Sequence, residues 1–68
     1  MYDVSELEDP DVRAVFRAGE AKGMLRFRQS MRTSIYAYYF FQWKDQDGVW
    51  RDGMMTASEV IASFGGRM

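Results

Sequence analysis

The run from Ile35 to Trp43 constrains the fold more than any other part of the chain, because it is almost wholly aromatic or apolar. Aromatic and β-branched side chains pack well on a pleated surface, so the run predicts a strand, with a buried helix as the alternative. Successive strand residues point to opposite faces, which divides the run into two rows. The odd-numbered row is apolar or aromatic throughout, and we expect it to face the core: Ile35, Ala37, Tyr39, Phe41 and Trp43.

The even-numbered row of the same run keeps two hydroxyl groups and then becomes polar, as expected of a face that meets water or a partner. Its aromatic members are Tyr36, Tyr38 and Phe40. A preceding strand begins near Met24 with the same period of two. In that strand three apolar residues alternate with three arginines, which predicts a basic face: Leu25, Phe27 and Met31 alternate with Arg26, Arg28 and Arg32.

A hairpin turn follows the aromatic run. Asp47-Gly48 is the strongest hairpin signal in the chain, since these residue types adopt the backbone conformations that tight turns need. The strands on either side of the turn should therefore pair, and the third strand begins at Val49. We expect Trp50 to lie close to Trp43 or Phe41 across this hairpin.

Helical signals flank the three strands. Asp9-Pro10-Asp11 predicts a helix that begins near Pro10, because Asp caps free amides and Pro suits the first turn; Ser5 to Glu8 offers a competing start as a capping box. Gly23 should end this helix. Its apolar stripe has helical spacing and consists of Val12, Val15 and Phe16.

The C-terminal signals follow the third strand. Asp52-Gly53 should either form a β-bulge in this strand or end it. Thr56 to Glu59 forms a capping box and predicts a second helix over about residues 57–64. Gly65-Gly66 should close that helix.

This order of elements predicts an α+β fold in which a helix, a three-stranded antiparallel meander and a helix form one compact domain over residues 1–68. Residues 1–8 are a short helical turn or an extended arm. We expect two layers, with both helices on one face of the sheet and the other face open.

The small size of the domain makes a large core unattainable. A chain of 68 residues hides only about 60% of its unfolded surface, and the sequence has no Cys and no His to supply disulfides or the usual zinc sites. Aromatic burial or a partner must therefore stabilise the fold. We expect no cofactor, no metal and no catalysis, because general acid–base chemistry would need carboxylates that cluster instead at predicted caps and turns. Asp45 and Asp47 are interpreted as turn formers, since the calcium-loop spacing is missing.

Charge is distributed unevenly along the chain, although the net charge is −1. Residues 21–44 contain no Asp or Glu, and the segments on either side are acidic. The basic strand and the even aromatic row would share the open face, with Arg51 as a further candidate. The predicted partner-binding residues are Arg26, Arg28, Arg32, Tyr36, Tyr38 and Phe40.

Arginine and tyrosine together suit a protein interface, and we interpret the chain as a small regulator or inhibitor that docks on a larger protein, of the type that phages and mobile elements encode. Three alternatives remain open. The same face could hold a second copy as a homodimer, or stack the bases of single-stranded nucleic acid. It could also be internal packing, with arginine stems lying over the rings.

The location of the protein is inferred from two further patterns. The N-terminus lacks the basic and apolar segment of a secretory signal, and no stretch approaches the roughly 18 apolar residues of a membrane-spanning helix. We therefore expect a cytoplasmic protein with no membrane partner.

Overall fold

A computed structural model describes residues 4–65 and confirms an α+β fold of the predicted order. The sheet is antiparallel, with β2 between β1 and β3. The elements are a 3₁₀ turn (Val4–Glu6), α1 (Pro10–Ala21), β1 (Leu25–Arg32), β2 (Ala37–Lys44), β3 (Trp50–Thr56), α2 (Ala57–Val60) and a π-helical turn (Ile61–Gly65). The predicted closing role of Gly66 and the first part of the predicted arm lie outside the described residues.

Helix α1 begins and ends where the sequence signals place it. The Asp9 carboxylate accepts hydrogen bonds from the backbone N–H groups of Asp11 (2.9 Å) and Val12 (3.3 Å), which would otherwise have no intrahelical partner. At the other end Gly23 has a φ of +70°, a left-handed conformation that glycine adopts without steric cost. This turn sends the chain directly into β1.

Gly19 sets the distance between α1 and β1. A Cβ added to this residue would lie 2.4 Å from the Cδ1 atom of Leu25, whose side chain is buried. A glycine inside a helix lowers the stability of that helix, but here it permits close helix–strand packing. The cost in helix propensity is offset by the burial that this close approach permits.

The core lies between α1 and one face of the sheet, and the ring of Phe16 is at its centre. This ring is fully buried, and its centroid lies 5.3 Å from that of Phe27, 6.2 Å from that of Tyr39 and 5.5 Å from that of Phe41. Tilted and edge-on ring pairs at such distances are favourable beyond their burial. The odd row of β2 therefore faces the core, as predicted, at Tyr39 and Phe41, with Ala37 and Trp43 partly buried against it.

The second helix forms where the Thr56 to Glu59 pattern predicts, although its last turn differs from an α-helix. The Glu59 carboxylate accepts a hydrogen bond from the Thr56 N–H (3.0 Å), and α2 is followed by five residues of π-helix. Within that turn, the Phe64 ring lies edge-on to the Phe41 ring with centroids 5.7 Å apart. The C-terminal segment thereby covers the end of the core.

Ile35 does not face the core as predicted, since 77% of its surface is exposed. Residues 33–36 form a turn in which the Thr33 N–H donates to the Tyr36 carbonyl (2.7 Å) and the Tyr36 N–H donates to the Thr33 hydroxyl oxygen (2.9 Å). Strand β2 therefore begins only at Ala37. Ile35 precedes the strand, so the alternation of side chains between the two faces of the sheet does not apply to it.

A β-bulge in β1 overturns the predicted alternation of that strand. Phe27 pairs with Phe41, but Gln29 pairs with Phe40, so Arg28 is an extra residue. The bulge reverses the parity of every residue that follows it. Met31 consequently lies opposite Tyr38, away from the core, and Arg32 lies opposite Ala37 on the core side.

The predicted bulge or strand end at Asp52-Gly53 is wrong, because β3 runs through both residues. Gly53 lies opposite Phe41, and a Cβ added to Gly53 would lie 2.9 Å from the Cζ atom of the Phe41 ring. The glycine therefore makes room for a core ring, which sequence reasoning did not anticipate.

The hairpin between β2 and β3 forms at the predicted turn, but its register corrects the expected position of two residues. Trp50 lies opposite Lys44, on the face away from the core, and so does not pack on Trp43 or Phe41. Arg51 lies opposite Trp43 on the core side, and its Nε donates to the Asp45 carboxylate (2.9 Å). Arg51 is thus not on the open face.

Asp45 organises the hairpin turn. One carboxylate oxygen accepts hydrogen bonds from the backbone N–H groups of Asp47 and Val49, both at 2.9 Å, and the other oxygen binds Arg51. The hydrogen bond from the Val49 amide, followed by that from Arg51, lowers the pKa of Asp45 from its ordinary value. The ionised form of Asp45 is therefore the form that stabilises the folded hairpin.

We predict that Asp45→Asn lowers the free energy of unfolding at pH 7 and that the difference from the wild type disappears in acid. Because the folded pKa lies below the unfolded one, the stabilisation is complete well above the unfolded pKa and is lost as the pH falls through the folded value. Urea titrations of both proteins at several pH values measure this difference. A difference that persists unchanged in acid would contradict the account.

Candidate functional site

The face of the sheet opposite the core carries the candidate site, which we call the open face. Cross-strand partners project to the same side of an antiparallel sheet, so the register assigns its members. Four of the predicted binding residues lie on it, and the bulge brings Met31 to the same side. The register gives Arg26, Gln29 and Met31 of β1, Tyr38, Phe40, Gln42 and Lys44 of β2, and Trp50, Asp52, Met54 and Thr56 of β3. Arg28, the unpaired bulge residue, belongs to the same face because its side chain binds that of Gln42.

One half of the open face is apolar. Met31 lies opposite Tyr38, and Phe40 lies opposite Met54, which makes a continuous patch across the three strands. The two methionines are 45% and 55% exposed, and the two rings between them are half-buried. Tyr36 extends the patch, because its ring centroid is 6.0 Å from that of Tyr38 and 54% of its surface is exposed.

The other half of the open face is cationic. The guanidinium carbon of Arg26 lies 3.7 Å from the centroid of the Trp50 ring, and the Lys44 Nζ lies 5.2 Å from it. Both distances are within the range of favourable cation–π contacts. The indole thus holds two positive charges at the end of the sheet near the hairpin turn.

A chain of hydrogen bonds separates the two halves. The Arg28 Nη2 donates to the Gln42 Oε1 (2.8 Å), and the Gln42 Nε2 donates to the Asp52 Oδ1 (3.2 Å). These three side chains come from three different strands, so the chain crosses the whole sheet. It fixes the orientation of the Gln42 amide and holds Arg28 against the surface.

Arg32, the remaining predicted binding residue, lies apart from the others. The bulge turns it toward the core side, where its Nη2 forms an ion pair with the Glu8 carboxylate (3.0 Å). Both side chains are largely exposed, so this pair contributes little stability. The structure therefore brings Arg26, Arg28, Tyr38 and Phe40 onto one face, with Tyr36 at its end, and leaves Arg32 on the other.

The Arg32–Glu8 pair borders a shallow cavity of about 290 Å³ on the core side of the sheet. The Tyr39 side chain also lines this cavity. Burial raises the pKa of the Tyr39 phenol, and the nearby Asp9 carboxylate raises it further, while Arg32 acts in the opposite direction. The neutral phenol therefore persists at physiological pH.

Besides Met31, which the bulge moves, two members of the open face escaped prediction from the sequence. Trp50 was assigned to the core side, and Met54 was assigned to no face. The register of the Asp45–Val49 turn decides both positions, since it pairs Lys44 with Trp50 and then Phe40 with Met54. A residue-by-residue alignment of the hairpin from its turn would have found them.

The open face presents three kinds of chemical group. It offers rings, thioethers and cations at fixed positions, and Asp52 is its single carboxylate. Between residues 4 and 65, no group of three or more Asp or Glu side chains could hold a metal ion. The arrangement can bury apolar groups and bind negative charge.

Comparisons with protein-family models, with curated proteins and with solved structures each gave no match. In the described part of the chain, no helix combines the length and the apolar character required to cross a membrane.

Proposed function

We propose that this protein binds a larger protein through the open face and regulates or inhibits that partner by occupying its surface. The observation that carries the proposal is the exposure of Met31, Tyr36 and Met54 beside the half-buried rings of Tyr38 and Phe40. Antiparallel sheets that meet only water usually carry polar side chains on their outer face. A contiguous patch of exposed apolar side chains marks an interaction site more often than a solvent surface.

The composition of the open face supports a protein as the partner. Tyrosine, tryptophan, methionine and arginine are enriched in protein interfaces, and the open face combines all four. The apolar half would lie under the buried centre of the interface. The cationic half, around Trp50, would lie near its edge and select an acidic region of the partner.

The fixed geometry of the open face favours tight binding. Arg28 is held by Gln42, Arg26 is stacked on Trp50, and the rings lie on a strand between two paired neighbours. Side chains that are already ordered lose less conformational entropy on binding. The surface therefore needs little rearrangement to engage a partner.

The proposal includes no catalytic step. The sequence contains no His and no Cys. Several carboxylates accept hydrogen bonds that stabilise the fold. Asp9 caps α1, Glu59 caps α2 and Asp45 holds the hairpin turn. Regulation by covering a surface of the partner also fits the small size of the chain. Phages and mobile elements encode small regulators of this type. We further propose that the protein acts in the cytoplasm.

We predict that Arg28→Glu and Tyr38→Ala each weaken binding to the physiological partner by about tenfold or more, because both residue types are typical interface hot spots. The partner is first captured with the tagged wild type from a lysate of the native host and identified by mass spectrometry. Calorimetry then measures the dissociation constant of each variant for the purified partner.

Arg17→Glu is the matched control for this experiment. It makes the same change of charge on an exposed position of α1, so binding should stay within about twofold of the wild type. The melting temperature of each variant is measured in parallel. Equal affinity for all three variants, or a collapse of the Tyr38→Ala fold, would overturn the proposal. Light scattering of the free protein tests for a homodimer. In a homodimer the open face would bind a second copy of the chain instead of a larger partner.

Single-stranded nucleic acid is the alternative occupant, and it is favoured by the exposed Tyr36 ring and the half-buried Tyr38 ring, together with the cations in the other half of the same face. Bases could stack on the tyrosines while Lys44 and Arg28 meet phosphates. In that case a fluorescent oligonucleotide would bind at low salt, with an affinity that falls steeply as salt is added. If anisotropy shows no binding at low salt, this alternative is excluded.

A further inference from the structure

The outer edge of β3 exposes backbone groups whose direction follows from the hydrogen bonds of β2. The Lys44 N–H donates to the Met24 carbonyl, toward β1, and the Asp45 N–H donates to the Val49 carbonyl, toward β3. Backbone direction alternates along a strand, so every second residue of β2 bonds to β3. Their partners Arg51, Gly53 and Met55 point inward. The N–H and C=O groups that point outward belong to Trp50, Asp52, Met54 and Thr56.

The same alternation shows that the opposite edge of the sheet is blocked. The outward N–H of Phe27 donates to the Glu20 carboxylate (3.1 Å), and the bulge at Arg28 interrupts the strand directly afterwards. Bulges and covering side chains are the usual protection of a sheet edge. The edge of β1 is therefore a poor template for another strand.

The edge of β3 is protected only at its end. The Thr56 N–H is bound by the Glu59 carboxylate. Within the described residues, no hydrogen bond engages the outward N–H groups of Asp52 and Met54. Two consecutive outward residues offer two donors and two acceptors, which suits an extended segment of about five residues.

We infer that a protein partner adds an extended segment to the β3 edge as a fourth strand, with a basic residue opposite Asp52 and apolar residues opposite Met54 and Trp50. Side chains opposite Asp52 and Met54 would lie on the open face, and Asp52 is the single carboxylate there. This inference rests on the proposed function, because the added strand would extend the open face. It specifies where the backbone of the partner binds.

Asp52 also argues against a second copy as the added strand. In antiparallel registers centred on Asp52 or on Gly53, the two Asp52 carboxylates would lie opposite or diagonal to each other, and like charges at those distances repel. A register centred on Met54 would bring Asp52 opposite Thr56, whose N–H already binds Glu59. The Asp52 carboxylate thus favours a foreign segment with one basic residue over a second copy of the chain.

A model peptide tests this inference without knowledge of the partner. The probe is an acetylated and amidated heptapeptide, threonine-valine-threonine-lysine-threonine-valine-threonine, whose palindromic order suits either strand direction. Titration into labelled protein is followed by amide NMR shifts and by hydrogen exchange. We expect the Asp52 and Met54 amides to shift and to exchange more slowly, while the Phe27 amide, already bound to Glu20, is unchanged.

Charge exchange supplies the first control. A peptide with glutamate in place of lysine should bind the wild type about threefold more weakly, and Asp52→Lys should reverse this preference. Removal of a backbone N–H by a proline substitution supplies the second control. Met54→Pro should fold, because its N–H points outward, yet it should lose the peptide, whereas Met54→Ala keeps the N–H, removes only the side-chain contact and should weaken peptide binding far less.

Several outcomes would overturn the inference. These are the absence of binding at millimolar peptide, amide shifts confined to Tyr38 and Phe40 in the middle of the open face, and equal binding by Met54→Pro and Met54→Ala. If the peptide fails while Tyr38→Ala still weakens the physiological partner, the strand addition is wrong and the proposed function stands. If Tyr38→Ala has no effect on that partner, the proposed function itself fails.

Discussion

The contact of the Phe16 ring with three rings of the sheet is the interaction on which the rest of the structure depends. A chain of this size with no cysteine has few means of stabilisation, and this cluster joins α1 to β1 and β2 at one point. Gly19 permits the close approach of α1, and Gly53 leaves room for the Phe41 ring. The core therefore uses one face of the sheet, and the aromatic side chains of the other face remain available.

One extra residue in β1 decides which side chains lie on the open face. The bulge at Arg28 moves Met31 to the open face and sends Arg32 to the core side, where it meets Glu8. The same bulge blocks the β1 edge, while the β3 edge keeps its outward amides. Among residues 4–65, the sheet thus has one apolar and cationic face and one edge with unbonded outward N–H groups, and the two adjoin at Met54.

Much of this architecture could be predicted from the sequence, because its signals are local. The cap at Asp9, the left-handed Gly23 and the Asp47-Gly48 turn depend on short-range chemistry, and all lie where expected. The errors have a different origin. A bulge has no strong sequence signal, and the positions of Trp50 and Arg51 depend on the register beyond the turn. The faces on which the candidate residues lie were therefore predicted correctly on β2 and only partly on β1.

The central claim is that the rings of the open face serve binding and that the fold depends on Phe16. The most direct test compares the free energy of unfolding of Phe16→Ala with that of a Tyr38→Thr/Phe40→Thr double variant in urea. The account predicts a loss of about 3–5 kcal/mol for Phe16→Ala, enough to unfold a small domain, and at most about 2 kcal/mol for the double variant. An equal loss in both would show that the open face is part of what holds the fold together.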